Sequence, residues 1–364
     1  MLTAATSIEE IQEMVRRTPP GTRLLPVAGA TKPALSQPEQ EDVERLDVSE
    51  LRGVLEYDPA ELTMTALAGT PVRDLQRALS EHGQYLPFDP PLASAGATLG
   101  GVVASGTSGP RALRHGGVRD FVIGVRFVAG TGEVVTGGGK VVKNAAGFDL
   151  PKLMVGSLGR LGVIVQLSVK VFPQPPATTT LEFTFGDIES AVTAVTALMR
   201  SPVELDSLDI APGARVLARI AGRPEALDSR AARLAGAVDA QAVRHEGADE
   251  QALWEAATEL TWVSHGSTVV RVGLSIRQVA ALDRALSGTR GAHSRYSIGG
   301  TTAWISWPAA APLEDLDRIL HGLGLAGVVL VGAPGRSRLG PATGGVFATR
   351  VTRALDPHQR FLEL

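Results

Sequence analysis

Residues 96–109 read Gly96-Ala97-Thr98-Leu99-Gly100-Gly101-Val102-Val103-Ala104-Ser105-Gly106-Thr107-Ser108-Gly109. Glycines remain dense after this stretch, with 17 in the 67 residues from Gly96 to Gly162. The whole chain has 41 glycines in 364 residues, about 11% against an average of about 7%. Bare backbone can expose N–H groups in concavities that bind anions. This concentration of glycines, with hydroxyl residues among them, therefore predicts contact with a ligand.

Two further small-residue loops lie on either side of this stretch. One is Ala28-Gly29-Ala30-Thr31-Lys32, and the other is Gly156-Ser157-Leu158-Gly159-Arg160-Leu161-Gly162. Because a pyrophosphate has enough oxygens to use several such loops at once, the three together predict a dinucleotide bound along glycine-lined backbone. For any single glycine, a tight turn or a close approach of two strands is the competing interpretation.

The composition excludes several classes of function. The net charge is -3 and the pI is about 6.2, so the chain lacks the basic field that collects nucleic acid or anionic lipid. The absence of cysteine excludes disulfides, iron–sulfur clusters, thiolate zinc sites and cysteine nucleophiles. The seven histidines show no pair at metal-ligand spacing, so we predict no metal site.

The sequence also bears on location. No basic stretch precedes an apolar one at the N-terminus, so we expect no secretory signal. No apolar run reaches the ~18 residues that a membrane span needs. We therefore expect a cytoplasmic protein.

The proline-rich segment 173–176 divides the chain into two parts that differ in pattern. Before it, a helix is predicted from Ser7 to Arg17, and residues 162–172 alternate apolar and polar side chains as a strand does. After it, strand-like runs alternate with amphipathic helices, which predicts an α+β sandwich with helices on one face of an antiparallel sheet. The predicted domains are residues 1–175 and residues 176–340, followed by a C-terminal segment, 341–364.

Eight blocks in a fixed order resemble the PCMH-type FAD-binding oxidoreductases, and within them the FAD-binding E subunits of bacterial glycolate oxidases. The blocks are residues 29–32, 67–71, 90–91, 96–101, 108–111, 118–121, 143–150 and 156–162. The resemblance is dense over residues 20–175 and extends beyond them only in length and general pattern. It implies a two-subdomain FAD-binding domain followed by an α+β cap domain built on an antiparallel sheet, with the C-terminal segment, 341–364, returning to the FAD-binding domain.

The resemblance also implies which residues contact FAD. Residues 29–32 and 98–108 would hold the pyrophosphate and ribityl chain, and residues 159–164 would line the adenine end or the isoalloxazine edge. The blocks around Asn144, Gly147, Phe148 and Ser157 would form walls and supports. The predicted contacts are Gly29, Ala30, Thr31, Lys32, Pro90, Gly96, Thr98, Gly100, Gly101, Ser105, Gly106, Ser108, Gly159, Gly162, Val163 and Ile164.

Departures from the family pattern shape the expectations about chemistry. Similar proteins carry an aromatic residue where this chain has His115, and no cysteine exists, so we expect non-covalent FAD. The histidine pair that related D-2-hydroxyacid dehydrogenases carry in the cap has no equivalent here, and catalytic residues are not identified. Side chains that could contact a carboxylate substrate are Arg271, His265, His293, Arg295 and Tyr296.

The resemblance predicts a subunit that oxidises glycolate or another 2-hydroxy acid by hydride transfer to flavin N5 and passes the electrons onward. Its implied partners are a larger FAD subunit and an iron–sulfur subunit, through which the chain would associate with a membrane. Two alternatives stay open. One is a flavin-relay or scaffold subunit without its own catalysis, and the other is a reductase similar to the enolpyruvyl reductases of peptidoglycan precursor synthesis.

Overall fold

The computed structural model describes residues 2–36, 43–139, 148–333, 336–342 and 345–362. Within these ranges the chain divides into two compact units. Unit 1 takes residues 1–108, 116–174 and 343–364, and unit 2 takes residues 109–115 and 175–342. The principal boundary thus follows Gln174, inside the proline-rich segment, whereas the short segment 109–115 joins unit 2.

Helices and strands alternate irregularly up to residue 173. They are β1 (Leu2–Ala4), α1 (Ile8–Arg17), β2 (Arg23–Val27), α2 (Pro33–Ser36), β3 (Val43–Asp47), β4 (Val54–Asp58), β5 (Thr63–Leu67), α3 (Val72–Ser80), β6 (Gln84–Tyr85), α4 (Leu99–Ser105), α5 (Ala112–His115), α6 (Val118–Phe121), β7 (Val122–Val128), β8 (Val134–Gly138), α7 (Leu150–Met154), β9 (Val163–Lys170) and β10 (Phe172–Pro173).

The later elements belong mainly to unit 2. They are β11 (Ala177–Thr184), α8 (Ile188–Arg200), β12 (Ser207–Ala211), β13 (Arg215–Gly222), α9 (Pro224–Ala235), β14 (Ala242–His245), α10 (Gly247–Thr258), β15 (Thr268–Gly273), α11 (Ile276–Ser287), β16 (His293–Ser297), β17 (Thr302–Trp307), α12 (Leu313–Leu323), β18 (Gly327–Val331), β19 (Arg338–Leu339) and α13 (Gly345–Leu355).

Over the described residues, unit 1 contains a parallel sheet, β1-β3-β2, and an antiparallel sheet, β4-β5-β9-β7-β8. The alternation in β9 is confirmed, because Val165, Leu167 and Val169 are fully buried whereas the polar residues between them are partly exposed. Helix α1 is also confirmed, with Ser7 as its N-cap, and its buried residues Ile11 and Val15 join the core beneath the parallel sheet.

One predicted cap is wrong. The sequence before α3 predicts Thr70 as the N-cap, but the structure has Pro71 in that position with no side-chain cap. The Thr70 hydroxyl instead donates to the carbonyl of Leu67 at 2.7 Å and accepts from the N–H of Gly53 at 2.9 Å. These bonds join the Thr70 hydroxyl to the chain before α3 rather than to the N–H groups of its first turn.

In the described part of unit 2, the strands form one antiparallel sheet in the order β14-β11-β13-β12-β16-β17-β15-β18-β19. Its apolar face is covered by α11 and α12. Tyr296 of β16 donates its hydroxyl to Asp283 of α11, and Leu320 of α12 lies beside Val270 and Val272 at Gly327. The predicted α+β class is therefore confirmed.

The expectation that helices cover one face only is wrong. Helix α10 lies on the opposite face, where the Nε1–H of Trp254 donates to the hydroxyl of Thr180 at 2.8 Å. Trp254 also packs with Ala211 and Leu217 of that face. Tryptophan can do this because it combines a large apolar ring with one donor that finds a partner on a polar strand.

Among the helices of the described ranges, each is too short or too polar to cross a bilayer.

Candidate cofactor-binding site

An open cavity lies within unit 1 and holds about 110 Å³ for water-sized molecules. Three segments form the walls: the loop that follows β2, the beginning of α4 and the loop before β9. The predicted contacts that line it are Gly29, Ala30, Thr31, Lys32, Thr98, Gly100, Gly101, Ser105, Gly159, Gly162 and Ile164.

The loop of residues 28–32 presents backbone donors to this cavity. Within the described chain, the N–H groups of Gly29, Ala30 and Thr31 have no hydrogen-bond acceptor. Gly29 lies so close to the next wall that a Cβ there would stand 2.0 Å from the carbonyl oxygen of Gly96. A glycine is therefore required for the two loops to touch, and the contact leaves three donors available to an anion.

The beginning of α4 contributes surface rather than donors. The N–H of Leu99 is bonded to the carbonyl of Thr70 at 3.0 Å, that of Gly100 to the carbonyl of Ala68 at 2.8 Å, and that of Gly101 to the hydroxyl of Thr98 at 3.3 Å. The expectation of unpaired N–H groups in this stretch is therefore wrong for residues 99–101. Gly101 itself is exposed, and the nearest atom to an added Cβ is the Thr98 hydroxyl oxygen at 3.1 Å.

The third wall is a loop with unusual backbone angles. Leu158 has a φ of 53°, Gly159 of 71° and Gly162 of 142°. The N–H of Leu158 donates to the carbonyl of Ala104, which ties the loop to α4 at 2.8 Å. No acceptor for the Gly159 N–H exists in the described residues, so this wall also presents a backbone donor.

Lys32 supplies the positive charge among the cavity-lining residues of the described chain. It is buried, with 7% of its surface exposed, and its Nζ lies 3.5 Å from the hydroxyl of Thr31. An ammonium beside unpaired N–H groups suits a phosphate oxygen. Apolar residues line the rest of the cavity: Ala104 and Leu158 lie in predicted loops, whereas sequence analysis missed Pro26, Val27, Leu35, Val48 and Ala68.

Several predicted contacts lie outside the cavity lining. Gly106 ends α4 with a φ of 59°, and the Ser108 hydroxyl accepts from the N–H of Val118 at 2.8 Å. Gly96 lies against Gly29, Pro90 is buried, and Val163 is in the core. As cofactor contacts these residues stay predictions.

Of the predicted walls and supports, Asn144 and Gly147 lie outside the described residues. Phe148 is 94% exposed. Ser157 is 2% exposed, and its hydroxyl has no hydrogen-bond partner in the part of the chain that the structure describes.

The donors and the lining suit a dinucleotide. Backbone N–H groups on two loops, with one buried ammonium, can bind a pyrophosphate. The apolar residues between them can pack against flat rings. The residues present therefore fit FAD, the cofactor that the resemblance implies.

The second face of the unit 2 sheet is strongly polar. In the strand register, Arg271 of β15 and Arg295 of β16 both lie opposite Trp304 of β17. All three side chains therefore lie on this face. Arg295 is 4% exposed and its Nε donates to Asp209 at 2.8 Å; the Ser297 hydroxyl donates to the same carboxylate at 2.7 Å. Arg295 is therefore committed to an internal ion pair.

Neighbouring charges on this face are paired in the same way. Arg219 Nε lies 2.7 Å from Glu250, and Arg111 Nε donates to Asp206 at 3.1 Å. The guanidinium groups of Arg219 and Arg295 each lie 5.8 Å from the ring centre of Trp254. Sequence analysis missed this buried network, because its members are separated by up to about 180 residues.

The remaining substrate-contact candidates differ in their surroundings. Tyr296 is 1% exposed and donates to Asp283 at 3.0 Å, and burial raises the pKa of its phenol. His265 and His293 are exposed. Arg271 is half-buried; burial lowers the pKa of its guanidinium, but an arginine stays charged near neutral pH. Arg271 therefore stays a candidate carboxylate ligand on its charge and its place on this face.

Two other kinds of site find no support. Over the described residues, no group of three or more His, Asp or Glu side chains could hold a metal ion. The spacing Gly-x-Gly-x-x-Gly occurs at Gly322, Gly324 and Gly327, but there it ends α12 and begins β18. A dinucleotide-binding turn of that type has the opposite order, from strand to helix.

Comparisons with known proteins agree with the geometry. The model of the FAD binding domain family matches residues 1–138. The glycolate oxidase subunit GlcE of Escherichia coli is 44% identical over 163 residues, which are 45% of this chain and 46% of that protein. The glycolate oxidase subunit GlcD of Bacillus subtilis is 35% identical over 159 residues, 43% of this chain and 34% of that protein.

A D-lactate dehydrogenase of Anaerostipes hadrus is 31% identical over 203 residues, 54% of this chain and 41% of that protein. The matched part thus spans less than half the length of each of these relatives. Among solved structures, alkyldihydroxyacetonephosphate synthase superposes with a TM-score of 0.73 over 99% of this chain and 75% of that one, at 17% identity. That likeness shows a shared fold. Residues 1–138 of unit 1 thus match an FAD binding domain, and FAD is the cofactor that this match and the cavity support.

Proposed function

We propose that the chain is the FAD-binding subunit of a 2-hydroxy-acid dehydrogenase of the glycolate oxidase type. The observation that carries this proposal is the unit 1 cavity, with unpaired N–H groups on two loops and buried Lys32 between apolar walls. The similarity to GlcE supports glycolate or a related 2-hydroxy acid as the substrate class.

Each part of the site has a role in this proposal. The N–H groups of residues 29–31 and Lys32 bind the pyrophosphate, and the apolar walls exclude water from the rings. When bound, FAD supplies the acceptor for a hydride at its N5 atom. For unit 2 we propose Arg271 as the ligand of the substrate carboxylate, because a guanidinium offers a planar fork of donors. We expect FAD to be held without a covalent bond.

A relay or scaffold role is the second candidate. It is favoured by the polar face of unit 2, because Arg295 and Tyr296 already have internal partners and His265 and His293 are exposed. In that case another subunit would oxidise the substrate, and this chain would accept its electrons. For either role we propose a larger FAD subunit and an iron–sulfur subunit as partners, in the cytoplasm, with membrane association through those partners.

Visible absorption of the purified chain separates these functions. The spectrum is recorded before and after FAD is added, and again without oxygen after glycolate or D-lactate is added. A two-banded flavin spectrum that bleaches with a hydroxy acid would support a dehydrogenase. A flavin that stays oxidised until a partner subunit is supplied would support a relay. Folded protein that binds no flavin would contradict the dehydrogenase and the relay and would favour a scaffold, and bleaching by NADPH alone would identify a reductase.

A further inference from the structure

Strand β2 leads directly into the first cavity wall, so the position of β2 determines where residues 28–32 lie. On one side, β2 pairs with β3. On its other side, the N–H of Leu24 donates to the carbonyl of Arg360 at 2.6 Å, and Leu24 forms a parallel bridge with Phe361. Residues 356–362, which we call the C-terminal clasp, therefore extend the sheet beyond β2.

The Asp356 side chain stabilises the turn at the start of the clasp. This residue is 1% exposed, and its carboxylate accepts from the N–H groups of Arg360 at 2.9 Å and Phe361 at 2.8 Å. Gly130, in the turn between β7 and β8, lies so close that a Cβ there would stand 2.0 Å from the Asp356 carboxylate. The clasp therefore fits against this turn only because the turn has a glycine.

Arg360 connects the clasp to two more parts of unit 1. Its guanidinium donates to the carbonyl of Gly130 at 3.1 Å and to the carbonyl of Arg16, at the end of α1, at 3.0 Å. Together with the bond to Leu24, these contacts join the β7–β8 turn, α1 and β2. The clasp thus bridges three segments that are far apart in sequence.

The apolar side chains of the clasp lie under two cavity walls. Phe361 is 2% exposed and belongs to the same core as Leu24 and Val163. Val163 begins β9 directly after Gly162, the last residue of the third wall. Leu362 packs with Leu25 of β2, and Val27, which lines the cavity, packs against the same cluster.

We propose that the C-terminal clasp is a positioning element of the FAD site, and that FAD is retained only when the clasp is seated on β2. This inference rests on the unit 1 cavity being the FAD site. It has a consequence for synthesis, because the residues of unit 2 between 175 and 342 are made before the clasp. A chain therefore gains tight FAD binding only after unit 2 has been translated.

Point variants of the full chain test this proposal. Phe361→Ala removes the buried ring, and Arg360→Ala removes the two carbonyl bonds without emptying the core. Phe347→Ala is the matched control, since Phe347 lies in the same C-terminal segment and is 72% exposed. FAD dissociation constants are measured by flavin fluorescence at a temperature where circular dichroism shows each apo-protein to be folded.

We expect the constant to rise at least about tenfold in Phe361→Ala, less in Arg360→Ala and not at all in Phe347→Ala, where tenfold corresponds to about 1.4 kcal/mol. Phe361→Leu should restore most of the affinity. A lower unfolding temperature with an unchanged FAD constant would show that the clasp only stabilises the fold, and the proposal would be wrong.

A variant of the cavity itself separates this inference from the assignment of the site. If Gly101→Val binds FAD normally, the cavity is not the FAD site and both ideas fail. If Gly101→Val loses FAD while both clasp variants bind it normally, the assignment of the cavity holds and only the clasp inference is wrong.

Discussion

The cavity of unit 1 and the polar face of unit 2 use polar groups in opposite ways. In the cavity, backbone N–H groups of Gly29, Ala30 and Thr31 face solvent with no acceptor in the described chain. On the unit 2 face, charged side chains such as Arg295 and Asp209 are buried and bonded to each other. Groups that are left unpaired can bind a ligand, whereas groups that satisfy one another stabilise the fold.

The largest expected effect comes from breaking a buried ion pair on the polar face of unit 2. Asp209→Ala leaves Arg295 buried without its carboxylate, and removing one partner of a buried ion pair costs about 3–5 kcal/mol. All four tryptophans follow residue 175, so urea unfolding monitored by their fluorescence reports on unit 2.

The control for this variant is Asp315→Ala, whose partner Arg318 is 76% exposed. An exposed pair contributes about 0–1 kcal/mol. Equal losses in the two variants would show that burial adds nothing to the Asp209 pair.

The next effect comes from adding a side chain that fills part of the unit 1 cavity. Gly101→Val adds side-chain volume where the nearest protein atom to the new Cβ is the Thr98 hydroxyl oxygen, so the added methyl groups occupy cofactor space. Overpacking costs about 1–3 kcal/mol, or about 5- to 150-fold in affinity. We expect the protein to lose FAD on purification while unit 2 stays folded, as measured by absorption and tryptophan fluorescence.

Gly322→Val is the matched glycine variant, because a Cβ at Gly322 has no neighbour within 4 Å. It should retain FAD. Normal flavin content in Gly101→Val would show that this loop does not contact the cofactor.

A smaller effect tests the proposed contact between Arg271 and the substrate carboxylate. If Arg271 binds the substrate carboxylate, Arg271→Ala removes charge-assisted hydrogen bonds of about 1.5–3 kcal/mol, which is at least about tenfold in KM. The FAD content should not change. The control is Arg290→Ala, at an exposed arginine of the same unit, and an unchanged KM in Arg271→Ala would favour the relay function.

The smallest expected effect is a pH dependence of the stability that an ion pair on the polar face of unit 2 contributes. The hydrogen bond from Arg215 lowers the pKa of the Glu182 carboxyl, with a further contribution from His245. A lowered folded pKa stabilises the fold above the unfolded value of about 4.3, and this contribution is lost as the pH falls through the folded pKa. We therefore expect Glu182→Gln to be less stable than the wild type at pH 7.

That difference should shrink as the pH falls below about 4, as measured by urea unfolding at each pH. Glu255→Gln, at an exposed position of the same unit, should follow the wild type throughout. A constant difference for Glu182→Gln between pH 7 and pH 3 would contradict the role of the ion pair.

Regular patterns made part of the fold predictable. β9 alternates buried valine and leucine with polar residues, and the sequence shows this directly. β16 reads His-Ser-Arg-Tyr-Ser and carries no such signal. The Nε of Arg295 and the hydroxyl of Ser297 donate to Asp209, and the hydroxyls of Ser294 and Tyr296 donate to Asp283; these two carboxylates lie on another strand and on a helix. Only these distant partners make it a central strand.

The amino-acid sequence by itself determined where backbone must approach closely. A side chain has no room at Gly29 beside Gly96, at Gly130 beside Asp356, or at Gly162, which has a φ of 142°. Glycine is the residue type that meets this requirement, so the sequence shows it directly. Tertiary structure alone decided which N–H groups stay available, because the donors of Gly100 and Leu99 are satisfied by the carbonyls of Ala68 and Thr70. A side chain's volume is local, whereas a hydrogen-bond partner comes from wherever the fold brings one.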